Sequence, residues 1–212
     1  MQSKHKCSCA NGCNCRDQVL KAKTFVKNLK KNKKFSKNQR DTFSVVHFDL
    51  KESTKLMRKT PLTAITNMLL HNKMCRNIVE KNNGTVIKEL GDAVMVTFNN
   101  TGLACECAIK VIRNLKKHGG GIRTKVTVGY GTLWKIKTAK EEDVYGVPVN
   151  LCTRMSAHAT EDCILFEEGA YGLVHDWLSD EKKIRFEKVK SKGEDLKLRD
   201  FGPVPMRKII VN

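Results

Sequence analysis

The stretch SVVHFDLKESTKL, residues 44 to 56, places a carboxylate at the end of an apolar run. Val45, Val46 and Phe48 are β-branched or aromatic residues, which favour a buried strand. Asp49 follows them directly, where a further apolar residue would continue the strand. Because a lone carboxylate in a core strand is costly unless something compensates it, we expect Asp49 to have a specific partner at the end of this strand.

Strand and helix patterns continue on both sides of this stretch. Apolar residues at helical spacing predict a helix within residues 17–34, and the strand that ends near Asp49 begins at about residue 43. Pro61 suits the first turn of a helix over residues 61–81. We expect this helix to bury one apolar face, made of Leu62, Ile65, Leu69, Ile78 and Val79.

A tight β-hairpin is predicted for TVIKEL and AVMVTF, which Gly91 and Asp92 join. Helices over about 101–117 and 146–157 and strands at about 126–131 and 163–167 follow, and then a short helix and three strands. The order strand, helix, hairpin, helix, strand predicts an α+β fold with a ferredoxin-like antiparallel sheet and helices on one face. In that sheet the end of the first strand lies beside the hairpin turn, so Asp49 and Asp92 should converge.

Two converging carboxylates without a nearby His or Cys suit a hard cation such as Mg²⁺ or Mn²⁺. A pair of such ions can activate an oxygen nucleophile and neutralise a polyphosphate. Each aspartate also has a purely structural explanation. Asp92 follows Gly91 in a tight turn, where Asp is common, and Asp49 is a possible cap for a helix that begins near Ser53.

The net charge of +18 is concentrated at the N-terminus of the 212-residue chain. Residues 1–40 contain 12 Lys and Arg against the single acidic residue Asp17, so we divide the chain into a basic arm with a helix, 1–40, and a globular domain, 41–212. A solvated basic arm explains this charge, and contact with nucleic acid or an anionic membrane surface is the alternative. The stretch MQSKHKCSCANGC lacks the apolar region typical of a signal peptide, and no apolar run reaches about 20 residues, so we expect a cytoplasmic protein without a membrane span.

The nine cysteines fall into two groups. Cys7, Cys9, Cys13 and Cys15 form CxCxxxCxC, a spacing compatible with a structural zinc site and equally with a cysteine-rich tail. The others lie among apolar residues and are expected to be small core residues. They are Cys75, Cys105, Cys107, Cys152 and Cys163.

Four motifs together resemble the class III nucleotidyl cyclase catalytic domain. They are FDLKEST, IKELGDAVMVTF, DVYGVPVNLCTRM and VKSKGEDLKLRDF, and they occur in the family's order over residues 43–211. The resemblance implies conversion of a nucleoside triphosphate (NTP) to a 3′,5′-cyclic nucleotide and pyrophosphate, with two Mg²⁺ or Mn²⁺ ions per site.

The resemblance also implies a role for individual residues. The metal-binding set is Asp49, Leu50 and Asp92, and the catalytic pair that orients the ribose and stabilises charge on phosphorus is Asn150 and Arg154. The phosphate-binding set is Lys51, Glu52, Ser53, Thr54 and Lys190, with Lys192 as an assistant.

Lys88 and Asp143 occupy the base-reading positions, where this pair is the adenylate cyclase combination. A lysine donor and an aspartate acceptor fit the N1 and N6 edge of adenine, but cytosine and uracil can also satisfy them. We favour ATP and keep CTP and UTP as alternatives, because two positions depart from the family pattern. Glu52 stands where a glycine is common, and Trp134 with Lys135 stands where a second arginine is expected.

The domain architecture is similar to that of stand-alone pyrimidine cyclases of bacterial anti-phage signalling, which make cyclic CMP or cyclic UMP for a separate effector. The family builds its active site between two catalytic domains, which implies a homodimer with shared sites. The alternative from another class is a non-catalytic nucleotide sensor or a basic nucleic-acid module. The intact metal and catalytic residues favour the enzyme, so nucleic acid is not an expected partner.

Overall fold

The computed structural model describes residues 24, 27, 40–137, 142–191 and 193–212. The chain divides into two units, Met1–Arg40 and Asp41–Asn212. Of the helix predicted within residues 17–34, Thr24 and Lys27 are described, and both are helical. The four N-terminal cysteines and Lys192 lie outside the described residues.

The domain alternates strands with helices. The strands are β1 (Arg40–Leu50), β2 (Thr85–Leu90), β3 (Ala93–Phe98), β4 (Thr124–Lys137), β5 (Glu142–Tyr145), β6 (Cys163–Glu167), β7 (Ile184–Val189), β8 (Leu196–Leu198), β9 (Gly202–Val204) and β10 (Met206–Val211). The helices are α1 (Ser53–Lys59), α2 (Pro61–Lys81), α3 (Thr101–His118), α4 (Val147–Ser156) and α5 (Tyr171–Trp177), with a 3₁₀ turn at Glu168–Ala170.

The main sheet has the strand order β2-β3-β1-β4-β6-β10-β7, with β5 paired to β4, while β8 and β9 form a separate two-stranded sheet. The α+β class is confirmed, and β1 to β4 have the predicted ferredoxin-like order. The sheet is mixed and not purely antiparallel, because β6 runs parallel to β4. A parallel pair needs a crossover, and here α4 lies between the two strands in sequence.

The core is divided between the two faces of the sheet. Val46 and Phe48 of β1 pack in one cluster with α2 and α3, whereas Val45 packs with Leu151 and Met155 of α4 in a second cluster. Side chains alternate between the faces of a strand, so β1 contributes to both clusters. The expectation that the helices cover one face is therefore wrong, since α4 covers the other.

The apolar face predicted for α2 is also wrong over its first half. Leu62 is 81% exposed, Leu69 62% and Ile65 39%. The buried positions of α2 are Ala64, His71, Asn72, Cys75 and Val79. At 3.6 residues per turn the exposed positions lie about 100–160° around the helix from the face centred on Ala64, His71 and Cys75. Hydrophobic periodicity does not indicate the buried face of α2, because that face includes the polar residues His71 and Asn72.

The five cysteines of the domain are free and buried, as predicted. Burial raises the pKa of Cys107 and of Cys152 to about 12, so these thiols stay protonated and behave as core residues. Among the described residues, no helix combines the length and the apolar character needed to cross a bilayer.

Candidate active site

Asp49 and Asp92 lie at the same end of two neighbouring strands. Asp49 pairs with Ala93 across β1 and β3, and Asp92 immediately precedes Ala93. The Leu50 N–H donates to the carbonyl oxygen of Asp92 at 3.2 Å, which ties the end of β1 to the hairpin turn. The structure therefore brings the two predicted metal-binding aspartates together.

The side-chain partner of Asp49 is a lysine that the sequence pattern does not indicate. Lys125 Nζ lies 2.6 Å from Asp49 Oδ2, and the Ser156 hydroxyl donates to the same oxygen at 3.4 Å. The Lys125 and Asp49 side chains are 25% and 19% exposed. A cation thus already faces the carboxylate at the end of β1. Its only trace in the sequence is a charge at the start of the apolar strand KVTVGYG.

These carboxylates fit Mg²⁺ or Mn²⁺ that is shared with a substrate. In the described part of the chain no group of three His, Cys, Asp or Glu side chains is placed to hold a metal ion without help. Mg²⁺ is commonly held by one or two carboxylates, with substrate phosphates and water completing the octahedron. The Lys125 ammonium at Asp49 shows that this carboxylate has a cation as its partner.

The predicted phosphate turn has two different halves. The Lys51 N–H donates to the Arg123 carbonyl at 3.0 Å, and Lys51 Nζ lies 2.5 Å from Glu161, a hydrogen bond that raises the pKa of Lys51. Lys51 is therefore engaged away from Asp49. Ser53 opens α1 and donates its hydroxyl to Asp92 Oδ2, so its side chain positions a carboxylate.

Glu52, between these halves, has a left-handed backbone with φ 57° and ψ 20°. Glycine adopts this conformation without strain, which gives a physical reason for a glycine at this position. The Glu52 side chain is exposed and pairs with Lys55 at 3.5 Å.

Two clefts flank the turn. One of about 450 Å³ opens beside Asp92 and is lined by Ser53, Thr54, Met57, Arg58, Ala64, Met68, Gly91 and Asp92. The other, of about 300 Å³, lies on the Lys51 side and includes Lys55, Lys59 and Arg123. Thr54 faces the first cleft, so of the four predicted turn residues Ser53 and Thr54 are the ones beside Asp92.

The predicted base-reading pair is assembled within one chain. Lys88 Nζ lies 2.8 Å from both carboxylate oxygens of Asp143, which joins β2 to β5. A register shift between Val86 and Lys88 sets the position of Lys88 on β2. Burial acts to raise the pKa of Asp143, but hydrogen bonds from Lys88 and from the Val144 N–H outweigh it, so the pKa is lowered.

Of the predicted catalytic pair, Arg154 has another partner in the same chain. Asn150 is exposed on α4, and Arg154 Nη2 donates to Asp200 at 2.9 Å. Lys190 pairs with Asp195 after β7. The structure therefore does not bring these three residues to the carboxylates of their own chain.

Trp134 and Lys135 lie on β4 opposite β5, and Lys135 Nζ is 3.9 Å from the centre of the Phe43 ring. His47 is buried on β1, and its Nδ1 has no hydrogen-bond partner in the described part of the chain. It precedes Asp49 by two residues and shares its face of the strand, so a histidine lies closer to the carboxylates than expected.

Comparison with known proteins identifies the family. The model of the adenylate and guanylate cyclase catalytic domain matches residues 35–199, more than half of the chain. An adenylate cyclase of Streptomyces coelicolor is 28% identical over 91 residues, which cover 43% of this chain and 23% of the relative. An adenylate cyclase of Streptomyces griseus is 30% identical over 86 residues, with 41% and 20% covered. The chain thus spans less than a quarter of the length of these relatives.

Solved structures show the same fold. The adenylyl cyclase CyaB of Pseudomonas aeruginosa matches with a TM-score of 0.63 and 21% identity, over 82% of this chain and 96% of that chain. The catalytic core of a rhodopsin-guanylyl cyclase with converted specificity, in complex with ATPalphaS, matches with a TM-score of 0.67 and 15% identity, over 82% and 98%. Together with the family match, this fold similarity shows that the chain belongs to the adenylate and guanylate cyclase catalytic domains, the class III nucleotidyl cyclases.

Proposed function

We propose that residues 41–212 catalyse the conversion of an NTP to a 3′,5′-cyclic nucleotide and pyrophosphate. The observation that carries this proposal is the convergence of Asp49 and Asp92. The Lys125 ammonium is paired with Asp49, at the position where we expect a metal ion to bind. Two Mg²⁺ or Mn²⁺ ions would activate the ribose 3′-hydroxyl and neutralise the departing pyrophosphate. Asp49, Asp92 and the Leu50 backbone would hold them, while Ser53 orients the Asp92 carboxylate.

ATP is the substrate that the base-reading pair supports best. Lys88 and Asp143 present a donor and an acceptor side by side in a half-buried position. That pattern fits the ring nitrogen and the exocyclic amine of adenine and disfavours guanine. The two Streptomyces relatives are adenylate cyclases, which supports the same choice.

Cyclisation of CTP or UTP in anti-phage signalling is the second candidate. The pair accepts the N3 and N4 edge of cytosine as well as adenine. The observation that favours it is Glu52, a charged residue in the left-handed position of the phosphate turn. In either case we expect the product to act on a separate effector.

We propose that the active site is shared between two copies of the chain. Arg154 and Lys190 pair with Asp200 and Asp195 instead of reaching Asp49, so a second copy would supply them. Exposed Leu90 and Val147, at 49% and 65%, lie beside the hairpin turn and the start of α4, where a partner would cover them. The Asn150 amide would then orient the ribose and Arg154 would stabilise charge on phosphorus.

Two predictions from the sequence concern the arm, residues 1–40. If the four N-terminal cysteines bind zinc, purified full-length protein should contain one zinc per chain, which elemental analysis measures. If the protein is cytoplasmic and its basic arm is solvated, the chain should not sediment with anionic vesicles at physiological salt.

A test of the reaction is incubation with each of the four NTPs and Mn²⁺, with the products separated by mass. We expect cyclic AMP, with cyclic CMP or cyclic UMP identifying the second candidate. Asp49→Asn and Asp92→Asn should abolish the product. If folded dimer forms no cyclic product from any NTP, the enzyme proposal is wrong, and steeply salt-dependent binding of nucleic acid would then support a binding module.

A mixing experiment tests the shared site. Asp49→Ala and Arg154→Ala subunits should each be inactive alone and recover up to one intact site per heterodimer when mixed. Confirmed heterodimers without any recovered activity would contradict the shared site.

A further inference from the structure

A buried polar cluster of His71, Asn72 and Thr124 lies behind the two aspartates. His71 and Thr124 are fully buried and Asn72 is 6% exposed. His71 and Asn72 come from α2 and Thr124 from the start of β4, so these residues meet only in the folded domain. A buried polar side chain costs free energy unless it is hydrogen-bonded, and an apolar residue would fill the same space without that requirement.

One end of the cluster holds the hairpin turn. Asn72 Nδ2 donates to the Gly91 carbonyl at 2.9 Å and to Glu89 Oε2 at 3.3 Å. Both partners are acceptors, so the orientation of the Asn72 amide is fixed. The Gly91 carbonyl belongs to the peptide group that leads into Asp92, so Asn72 holds the backbone that carries the second carboxylate.

The other end reaches the peptide group that follows Asp49. Since Asn72 Oδ1 faces His71 Nδ1 at 3.0 Å, that ring nitrogen must carry the proton. Burial lowers the pKa of His71, so the ring is neutral and Nε2 is an acceptor. The Thr124 hydroxyl lies 3.1 Å from Nε2 and 3.3 Å from the Asp49 carbonyl oxygen. Because Cys75 Sγ lies 3.6 Å from Nε2 and its thiol can donate there, Thr124 can donate its one proton to the Asp49 carbonyl.

We propose that His71, Asn72 and Thr124 are positioning residues that set the spacing of the Asp49 and Asp92 carboxylates and thereby the affinity for the divalent cation. The cluster contacts both carboxylate-bearing segments at their backbone carbonyls and does not touch the carboxylates themselves. The cluster thus does not compete with an ion for either carboxylate. This inference rests on the proposed metal-binding role of Asp49 and Asp92.

The test measures Mn²⁺ binding to the full chain without nucleotide, from the loss of the free-ion EPR signal. Thr124→Val removes the hydroxyl and keeps the shape, and it should weaken Mn²⁺ binding about tenfold, the lower end of effects of outer residues on metal sites. Asn72→Ala should do the same from the other end. Thr124→Ser, which keeps the hydroxyl, should bind within about twofold of the wild type.

A matched control separates positioning from stability. The Ser44 hydroxyl donates to Thr101 Oγ1 at 2.8 Å in an equally buried pair, about 16 Å along β1 from Asp49. Thr101→Val therefore deletes a comparable buried hydroxyl far from the aspartates. It should lower the urea midpoint as Thr124→Val does and leave Mn²⁺ binding unchanged.

The outcomes distinguish this inference from the proposed function. If Asp49→Asn and Asp92→Asn bind Mn²⁺ like the wild type, the proposed metal site is wrong and this inference fails with it. If both lose binding while Thr124→Val and Asn72→Ala keep wild-type affinity, the cluster is only structural and the inference alone is overturned. Should Thr124→Val fail to fold, Asn72→Ala decides, and equal weakening by Thr101→Val also overturns the inference.

Discussion

The ion pair between Lys125 and Asp49 predicts how the domain responds to a divalent ion. Lys125→Met keeps an unbranched side chain one atom shorter and removes the charge that lies 2.6 Å from Asp49 Oδ2. Removing one partner costs about 3–5 kcal/mol in a buried pair and up to about 1 kcal/mol in an exposed pair. With the two side chains 25% and 19% exposed, we expect a loss of about 2 kcal/mol, or about 4–8 °C in Tm for a domain of this size.

A divalent ion should reverse much of this loss. An ion that binds Asp49 must first displace Lys125, so the wild type loses the energy of the pair when it binds Mn²⁺ and the variant does not. A difference of about 2 kcal/mol corresponds to an apparent Kd about 30-fold lower in Lys125→Met. At one Mn²⁺ concentration the variant should therefore gain more in Tm than the wild type.

Thermal unfolding with and without Mn²⁺ measures both effects. Lys208→Met is a suitable control, since Lys208 pairs with Glu187 at 3.0 Å with side chains 30% and 34% exposed, on strands at the far edge of the sheet. The control should lose stability and show the wild-type response to Mn²⁺. The competition argument is refuted if Lys125→Met is less stable but gains no more from Mn²⁺ than the wild type.

Three further predictions concern packing, catalysis and pH. Gly84→Ala should lower the free energy of unfolding in urea by about 1–3 kcal/mol, because the added Cβ would lie 2.5 Å from Phe98 Cζ. Gly172→Ala in α5 is the control, since its Cβ would meet no heavy atom within 4 Å and should cost nothing. Equal urea midpoints for the two variants would contradict this prediction. Arg154→Ala should change the unfolding free energy by at most about 0.5 kcal/mol, since the ion pair between Arg154 and Asp200 is largely exposed. The same variant should lower kcat at least about 100-fold, and near-normal turnover would exclude a catalytic role for Arg154. Burial lowers the pKa of His71, so as the pH falls below its ordinary value of 6.5 the unfolded chain takes up a proton that the folded chain does not, and stability decreases. Urea midpoints from about pH 8 to pH 5 should fall less steeply in His71→Leu, and identical slopes would show that His71 is not the group responsible.

Local sequence was sufficient to place the two aspartates. An apolar strand that ends in Asp49 and a hairpin turn at Gly91 and Asp92 are patterns of neighbouring residues, and strand order follows from short connections. For the same reason the four motifs could indicate the family, because each one is contiguous. The assignment of Lys88 and Asp143 to one site also rested on motifs, and the structure shows them in contact.

Hydrophobic periodicity failed on α2 because burial there is decided by partners from elsewhere in the chain. Leu62 and Leu69 are apolar but exposed, whereas His71 and Asn72 are polar but buried. A polar side chain can be buried only where hydrogen-bond partners meet it, and Thr124 is far from His71 in sequence. No count of apolar residues within one helix contains that information.

The sequence by itself determined that Asp49 ends a core strand and that a second carboxylate joins it, since strand and turn preferences act over a few residues. Only the tertiary structure decided what Asp49 faces. Lys125 reaches it because β4 lies next to β1 in the sheet, and which strands become neighbours depends on how the whole chain packs. The partner of the charged residue at the end of this apolar strand thus comes from a neighbouring strand of the sheet and not from residues nearby in sequence.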